Sequence, residues 1–158
     1  MTDSPWETID AALIRMRRLL ELPAHLTHTV DLSTVLVTDT VARLRGDGEK
    51  TRIADIAANL TVKPSTASRL VASTEAAGFI RRTPSPDDPR SVALDLTPAG
   101  EELNATAKGF RIGFLRHAVS GWDDQTVTVF AALLDQFSRA TATPPSSIVR
   151  ESPSGMAG

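Results

Sequence analysis

The chain has 158 residues, 41% of them hydrophobic, and a net charge of −2, which favours one globular domain with enough chain to bury a core. It contains no cysteine, which excludes disulfides, thiolate metal sites and cysteine nucleophiles. Its apolar runs are far shorter than the roughly 20 residues of a membrane span, and its acidic N-terminus lacks a signal-peptide pattern, so we expect a cytoplasmic protein.

The first part of the sequence predicts two helices joined by a connector. Apolar residues recur at spacings of three and four, which predicts a helix over about 6–22, before a proline. Residues 24–32 form a connector or a short helix. Ser33 is the candidate N-cap of a second helix, which extends to about residue 44 and ends at a glycine-rich stretch.

The centre of the sequence predicts a helix-turn-helix followed by a β-ribbon. The two helices occupy about 54–60 and 64–77, and Gly78 follows the second at the usual C-terminal position. Two strands over 79–83 and 91–96 form the ribbon, and the second strand alternates apolar and polar residues.

Two further helices are predicted after the ribbon. Thr97-Pro98 is typical of a helix start, and this helix extends to about Ser120. Asp123 or Asp124 caps a final helix to about Thr141. The predicted fold class is mostly α with a small β-wing (α+β): a winged helix-turn-helix lobe with flanking N- and C-terminal helices.

The second helix of the motif has an outer face suited to a DNA major groove. Its inner face consists of Ala67, Leu70, Val71 and Thr74, whereas small or hydroxylated residues and one arginine lie opposite. A groove about 12 Å wide admits a helix without bulky side chains and with short donors and a long cation. The alternative is an ordinary solvent-facing helix. The candidate DNA contacts of this helix are Lys63, Ser65, Thr66, Ser68, Arg69 and Ser73.

Lys63 stands where Ser, Thr, Asp or Asn normally caps a helix, and a cation there is unfavourable unless a phosphate binds at that end. The ribbon adds Arg81, Arg82 and Arg90, and the prolines at its tip restrict the loop before it binds. Asp88 either orients an arginine or simply forms the turn. Between Arg43 and Arg90 the charge is +3, against −5 for the remainder, which indicates a basic lobe on an acidic scaffold.

The ribbon sequence DPRSVALDLTPAG, from Asp88 to Gly100, resembles the wing signature of the multiple-antibiotic-resistance-regulator (MarR) family: Asp-x-Arg, a strand, then Leu-Thr-x-x-Gly. The run PSTASR from Pro64 and the Glu75-x-x-Gly78 pattern also match, and the resemblance covers about residues 6–141. The chain departs from the family pattern at Ala54, Thr61, Lys63 and Thr74. The first of these replaces the usual hydroxyl cap of the first motif helix.

The resemblance implies a homodimeric transcriptional regulator, in most cases a repressor, that binds a pseudo-palindromic operator in double-stranded DNA. It implies a helical dimerisation region at residues 1–32 and 98–142, a DNA-binding lobe at 33–97, and a tail at 143–158 whose composition predicts disorder. The candidate interface or core residues are Ile9, Leu13, Met16, Phe110, Phe114, Leu133, Leu134 and Phe137.

The resemblance also implies release from DNA by a small aromatic or anionic effector, for which Trp6, His25 and His28 are candidate contacts. His25, His28 and Asp31 would form a metal site if the connector were helical, but incidental surface histidines are the reading that we adopt. We expect no cofactor, no metal and no catalytic residues, since no nucleophile triad or phosphate loop is present. The alternative function is a winged helix used for protein–protein assembly.

Overall fold

The structure is a computed structural model, and it describes residues 4–16, 30–46, 50–85 and 88–142. In chain order the elements are α1 (Pro5–Met16), α2 (Leu32–Gly46), α3 (Ile53–Asn59), α4 (Pro64–Ala76), β1 (Ile80–Ser85), β2 (Asp88–Leu96), α5 (Pro98–Ala118) and α6 (Asp124–Thr141). This order confirms the predicted α+β class with a winged helix-turn-helix. The chain divides into two compact units, Met1–Leu115 and Arg116–Gly158.

Some sequence predictions fall outside the described residues. These are the continuation of the first helix beyond Met16, the connector with His25 and His28, and the tail at 143–158. Among the helices that the structure does describe, none combines the length and apolarity that crossing a membrane requires.

The N-cap of α2 is Asp31, so the prediction of Ser33 was wrong. An Oδ1 atom of Asp31 accepts a hydrogen bond from the backbone N–H of Thr34 at 2.7 Å and another from the Ser33 hydroxyl at 2.8 Å. A capping side chain must lie just before the first helical residue, which is Leu32, to reach the free amides of the first turn. Ser33 lies inside that turn and supports the cap as a donor.

The first motif helix, α3, also begins one residue earlier than predicted. Arg52 is its N-cap residue, and the backbone N–H of Arg52 donates to Oδ2 of Asp55 at 2.6 Å. This contact satisfies one of the exposed amides at the helix start. Ala54 therefore lies within the helix rather than at its cap, and its lack of a hydroxyl has no capping consequence.

The ribbon is a two-stranded antiparallel sheet with longer strands than predicted. Ile80 pairs with Leu96 and Arg81 with Asp95, and the register shifts between Pro84 and Ser85, near the tip. Thr51 forms an isolated bridge with Leu94, and this bridge adds a short third segment beside β2.

The core of the lobe joins α2, α3, α4 and both strands. Its buried members are Val37, Val41, Ile56, Ala57, Ala67, Val71, Ile80, Leu94 and Leu96. A second cluster packs Val35 of α2 against Leu103 and Ala107 of α5, with Phe79 partly buried beside it. These two clusters fix α4 and the ribbon on one scaffold.

The predicted starts of the last two helices are confirmed. The Thr97 hydroxyl accepts from the backbone N–H of Gly100 at 3.1 Å, and Oδ1 of Asp123 accepts from that of Thr126 at 2.8 Å. Hydrogen bonds from the Thr126 backbone and side chain lower the pKa of Asp123. Helix α6 has no buried residue of its own, although its sequence is strongly amphipathic.

Candidate nucleic-acid interface

The face of α4 that the sequence assigned to DNA is exposed. Ala67, Val71 and Thr74 are buried in the core, so the opposite side of the helix faces solvent. We call this side the recognition face; its members are Ser65, Ser68, Arg69, Ala72 and Ser73. Thr66 is half-buried at the edge of this face. The inner stripe was predicted correctly because a period of 3.6 residues fixes which side chains share a face.

The N-terminal end of α4 has exposed amides and a nearby cation. Lys63 is the N-cap residue, its backbone is extended, and its side chain makes no capping hydrogen bond. Pro64 occupies the first helical position, where its missing N–H costs nothing. Within the described part of the chain, neither Lys63 nor Arg69 has an ion-pair partner, so both are available to an external anion.

Two residues with left-handed backbone set the boundaries of α4. Thr61, in the turn before it, has a φ of 52°, and Gly78, just after it, has a φ of 83°. Glycine adopts such angles freely, whereas a β-branched threonine is strained there. The turn holds its shape because its neighbours Leu60 and Val62 pack against the lobe core on both sides.

The two arginines of β1 are held by carboxylates. Nη2 of Arg81 lies 2.6 Å from Oδ2 of Asp95 on the facing strand, and Nε of Arg82 lies 3.1 Å from Oε2 of Glu75 on α4. The second pair joins the ribbon to α4. Both pairs are solvent-accessible, so each contributes little to the free energy of folding. Their main effect is to orient the arginine side chains.

Asp88 and Arg90 lie in β2 by their backbone. The side chains from Ser85 to Ser91 fall outside the part of the chain that the structure describes. The DNA-contacting roles predicted for Asp88 and Arg90 therefore stay predictions.

Sequence reasoning missed an ionic cluster at the base of the wing. Arg45, in the last turn of α2, lies between Asp95 of β2 and Glu101 of α5. The hydrogen bond to Glu101 is the largest of the influences that raise the pKa of Arg45. The available signal was an aspartate at an outward position of the alternating strand β2, but its partners become evident only once the helices are packed.

A cleft between α2 and α5 adjoins this cluster. Its volume is about 610 Å³, and we call it the α2–α5 cleft. The charged side chains that line it are Asp39, Arg43, Arg45, Glu101, Lys108 and Arg111. Asp39 pairs with Arg43 at 2.9 Å and with Arg111 at 2.7 Å, so part of this charge is already neutralised. One side-chain atom at the cleft, Oδ1 of Asn104, is buried without a hydrogen-bond partner.

Of the three predicted effector contacts, the structure describes only Trp6. Trp6 is 79% exposed on α1, and His25 and His28 lie outside the described ranges. Among the residues that the structure describes, no group of three or more His, Asp or Glu is arranged to hold a metal ion.

Part of the chain matches the model of a known protein family. Residues 47–92, which include α3, α4, β1 and the start of β2, match the family model of the MarR family. A search of curated protein sequences finds no match.

Solved structures extend the likeness beyond that segment. A structure of CouR from Rhodococcus jostii RHA1 bound to p-coumaroyl-CoA is 20% identical, with a TM-score of 0.67 over 91% of this chain and 95% of that one. Streptococcus pneumoniae FabT in complex with DNA is 18% identical, with a TM-score of 0.61 over 84% and 89%. Bordetella bronchiseptica BpsR, described as regulated in its DNA binding by 6-hydroxynicotinic acid, is 18% identical, with a TM-score of 0.59 over 83% and 98%. At these identities the likeness shows the fold.

Proposed function

Residues 47–92 match the family model of the MarR family, and from this match and the geometry of α4 we propose that the protein is a sequence-specific DNA-binding transcription regulator of the cytoplasm. The observation that carries the proposal is the recognition face. A helix with small hydroxylated side chains, one long unpaired arginine and a lysine at its N-terminus fits a major groove and its flanking phosphates. A surface helix without a partner has no need of this combination.

The ribbon supplies the second contact. Its exposed arginines and its proline-containing tip lie on the same lobe as α4, and Arg82 is tied directly to α4 through Glu75. In winged helices such a ribbon reaches the backbone or the minor groove beside the recognition helix. We assign the predicted base and phosphate contacts to α4 and the minor-groove contact to Arg90.

We further propose that the protein acts as a homodimer, in which the helices that flank the lobe form the interface. Large apolar side chains are exposed on α1, on α5 and on α6, and they include Ile9, Phe114, Leu133 and Phe137. Exposed apolar surface of this extent is characteristic of association. A two-fold dimer would present its two recognition helices about 34 Å apart, one DNA turn, to a pseudo-palindromic operator.

The α2–α5 cleft is our candidate site for an effector that releases the protein from DNA. Four of its six charged residues are cationic, which favours a carboxylate or another anion. The BpsR relative is described as responding to an aromatic acid, 6-hydroxynicotinic acid, which is of this chemical class. Release by such a ligand would make the protein a repressor that is relieved by its signal.

The decisive experiment selects bound sequences from a random pool of duplex DNA and measures affinity for the selected site and for unrelated DNA. Arg69→Ala should cost about 1–3 kcal/mol on the selected site and relax one base preference per half-site. Lys63→Ala should weaken both DNAs and reduce the salt slope by about one. Arg139→Ala, in the exposed ion pair with Asp135 on α6, is the control and should change neither.

Failure of the wild-type protein to bind any duplex at low salt would refute the proposal. Protein–protein assembly, the alternative function, would then be the one to pursue. Unchanged DNA affinity in both variants would equally contradict the assignment of α4 as the recognition helix.

A further inference from the structure

Asp95 is an acidic residue of β2, and both of its carboxylate oxygens are engaged. Oδ2 accepts from Nη2 of Arg81 at 2.6 Å, directly across the hairpin. Oδ1 accepts from the backbone N–H of Leu96 at 2.9 Å. The side chain keeps only 27% of its accessible surface, so a phosphate could approach it only after these partners were displaced.

A third contact joins Asp95 to the helical scaffold. Nη1 of Arg45, at the end of α2, lies 3.4 Å from Oδ1 of Asp95 and 2.5 Å from Oε1 of Glu101 on α5. Asp95 thus contacts a residue of each wing strand and, through one guanidinium, both helices beneath the wing. We call Arg45, Arg81, Asp95 and Glu101 the wing-base cluster.

The carboxylate is charged where the protein would bind DNA. Burial raises the pKa of Asp95, but the hydrogen bonds from Arg81 and Leu96 and the charges of Arg81 and Arg45 outweigh it and bring the pKa below its ordinary value of 3.8. A full negative charge on the DNA-binding lobe repels phosphates. This cost to DNA binding is offset only if the charge has another role in recognition.

The wing needs support at its base. A two-stranded ribbon is marginally stable by itself, and the ribbon residues that join the lobe core, Ile80, Leu94 and Leu96, lie at its inner end. We propose that Asp95 is a positioning residue for DNA recognition: it fixes the angle of the wing on α2 and α5 and holds Arg81 along the ribbon, without contacting DNA. The inference rests on the DNA-binding function proposed above.

The change in DNA affinity caused by Asp95→Asn distinguishes a positioning role from that of an ordinary surface charge. If Asp95 were only a charge, Asp95→Asn would tighten binding to every DNA, because phosphate repulsion is lost. If Asp95 positions the wing, the same variant weakens binding to the selected site by about fivefold, the scale of one or two partly exposed ion pairs. Its affinity for unrelated DNA stays equal or rises, so the ratio of specific to non-specific affinity falls.

Double-mutant cycles test whether Asp95 acts through Arg81 and Arg45. The effect of Asp95→Asn should shrink in an Arg81→Gln background and in an Arg45→Gln background, because each partner is then already lost. Asp95→Glu restores the charge and should recover part of the specificity ratio. Asp135→Asn, which removes an exposed carboxylate paired with Arg139 on α6, is the matched control and should leave the ratio unchanged. Thermal unfolding of each variant verifies that it is folded.

The outcomes are distinct from those that test DNA binding itself. Absence of DNA binding by the wild type overturns the proposed function. A wild type that binds, together with an Asp95→Asn variant that tightens both DNAs or matches Asp135→Asn, overturns the positioning role alone. If Asp95→Asn fails to fold, Arg45→Gln provides the same measurement, and an unchanged specificity ratio in that variant contradicts the proposal.

Discussion

The winged-helix lobe and helix α6 both contain amphipathic helices, but they differ in what a single chain can bury. Helix α2 contributes six buried residues to the lobe, whereas α6 contributes none, and Leu133 remains 60% exposed. Burial of apolar surface is the main stabilising term in folding. The lobe therefore buries its core within one chain, while among the described residues the apolar stripe of α6 stays exposed.

The lobe and α6 also differ in their polar contacts. In the lobe, the ion pair between Arg82 and Glu75 joins the ribbon to α4, and Gly100 at the start of α5 closely approaches the backbone of Phe79. On α6 the side chains keep a clean periodic stripe without tertiary contacts of that kind among the described residues. The proposed DNA-binding face is thus held by contacts within the lobe, whereas the apolar stripe of the proposed dimer surface stays exposed.

The largest effect is expected from Gly100→Ala, which tests whether the lobe core is as tightly closed as described. A Cβ at this position would lie 1.9 Å from the backbone oxygen of Phe79, an atom that cannot move independently. We expect a loss of about 3 kcal/mol in the free energy of unfolding, measured by urea denaturation. Gly109→Ala, in open space on the same helix, should instead gain about 0.5–1 kcal/mol. Equal effects of the two substitutions would contradict the close approach.

The second prediction concerns the exposed apolar stripe of α6. Leu133→Asp places a charge in the exposed stripe of α6, and it should weaken self-association by about 2 kcal/mol or more, roughly 30-fold in the dissociation constant. Sedimentation velocity over a concentration series measures this. Gln136→Asp, an exposed polar position on the same helix, should have little effect. A wild-type protein that sediments as a monomer at all concentrations would contradict the proposal that this stripe is a dimer surface.

What the sequence predicts well is what periodicity alone determines. The buried and exposed sides of α4 and the stop at Gly78 follow from local spacing and turn chemistry, and the structure confirms both. The last helix was predicted to begin with a cap at Asp123 or Asp124, and the cap is Asp123. The cap of α2 was misplaced because Asp31 and Ser33 are both good caps near one helix start, and spacing cannot rank them.

What the sequence could not predict depends on distances between elements. Arg45 and Asp95 are 50 residues apart, and Arg81 and Asp95 are 14 apart. Their meeting requires both the hairpin register and the packing of α2 against β2, neither of which a local pattern encodes. The α2–α5 cleft was missed for the same reason, since its charged residues come from two helices distant in sequence.

A smaller gain of stability is expected from Thr61→Gly, because the lobe tolerates a local strain that a glycine would remove. Thr61 has a φ of 52°, and a threonine there costs on the order of 1 kcal/mol relative to glycine. Part of this gain is offset by the greater freedom of glycine in the unfolded chain, so we expect about 0.5–1 kcal/mol in urea denaturation. Thr106→Gly, at an exposed position within α5, should be destabilising. Destabilisation by both variants would show that the turn is not strained.

The smallest effect concerns the N-cap of α2 and appears only in acid. Hydrogen bonds from the Thr34 backbone and from the Ser33 side chain lower the pKa of Asp31 below its ordinary value of 3.8. A lowered folded-state pKa contributes stability that is fully present above the unfolded value and is lost as the pH falls through the folded value. Asp31→Asn keeps a capping oxygen but cannot titrate, so it should change stability by less than about 0.5 kcal/mol at pH 7. Below about pH 4 the wild type should then lose stability faster than the variant, as measured by thermal unfolding across pH. Parallel pH profiles for the two proteins would show that the Asp31 carboxylate does not stabilise α2 through its charge.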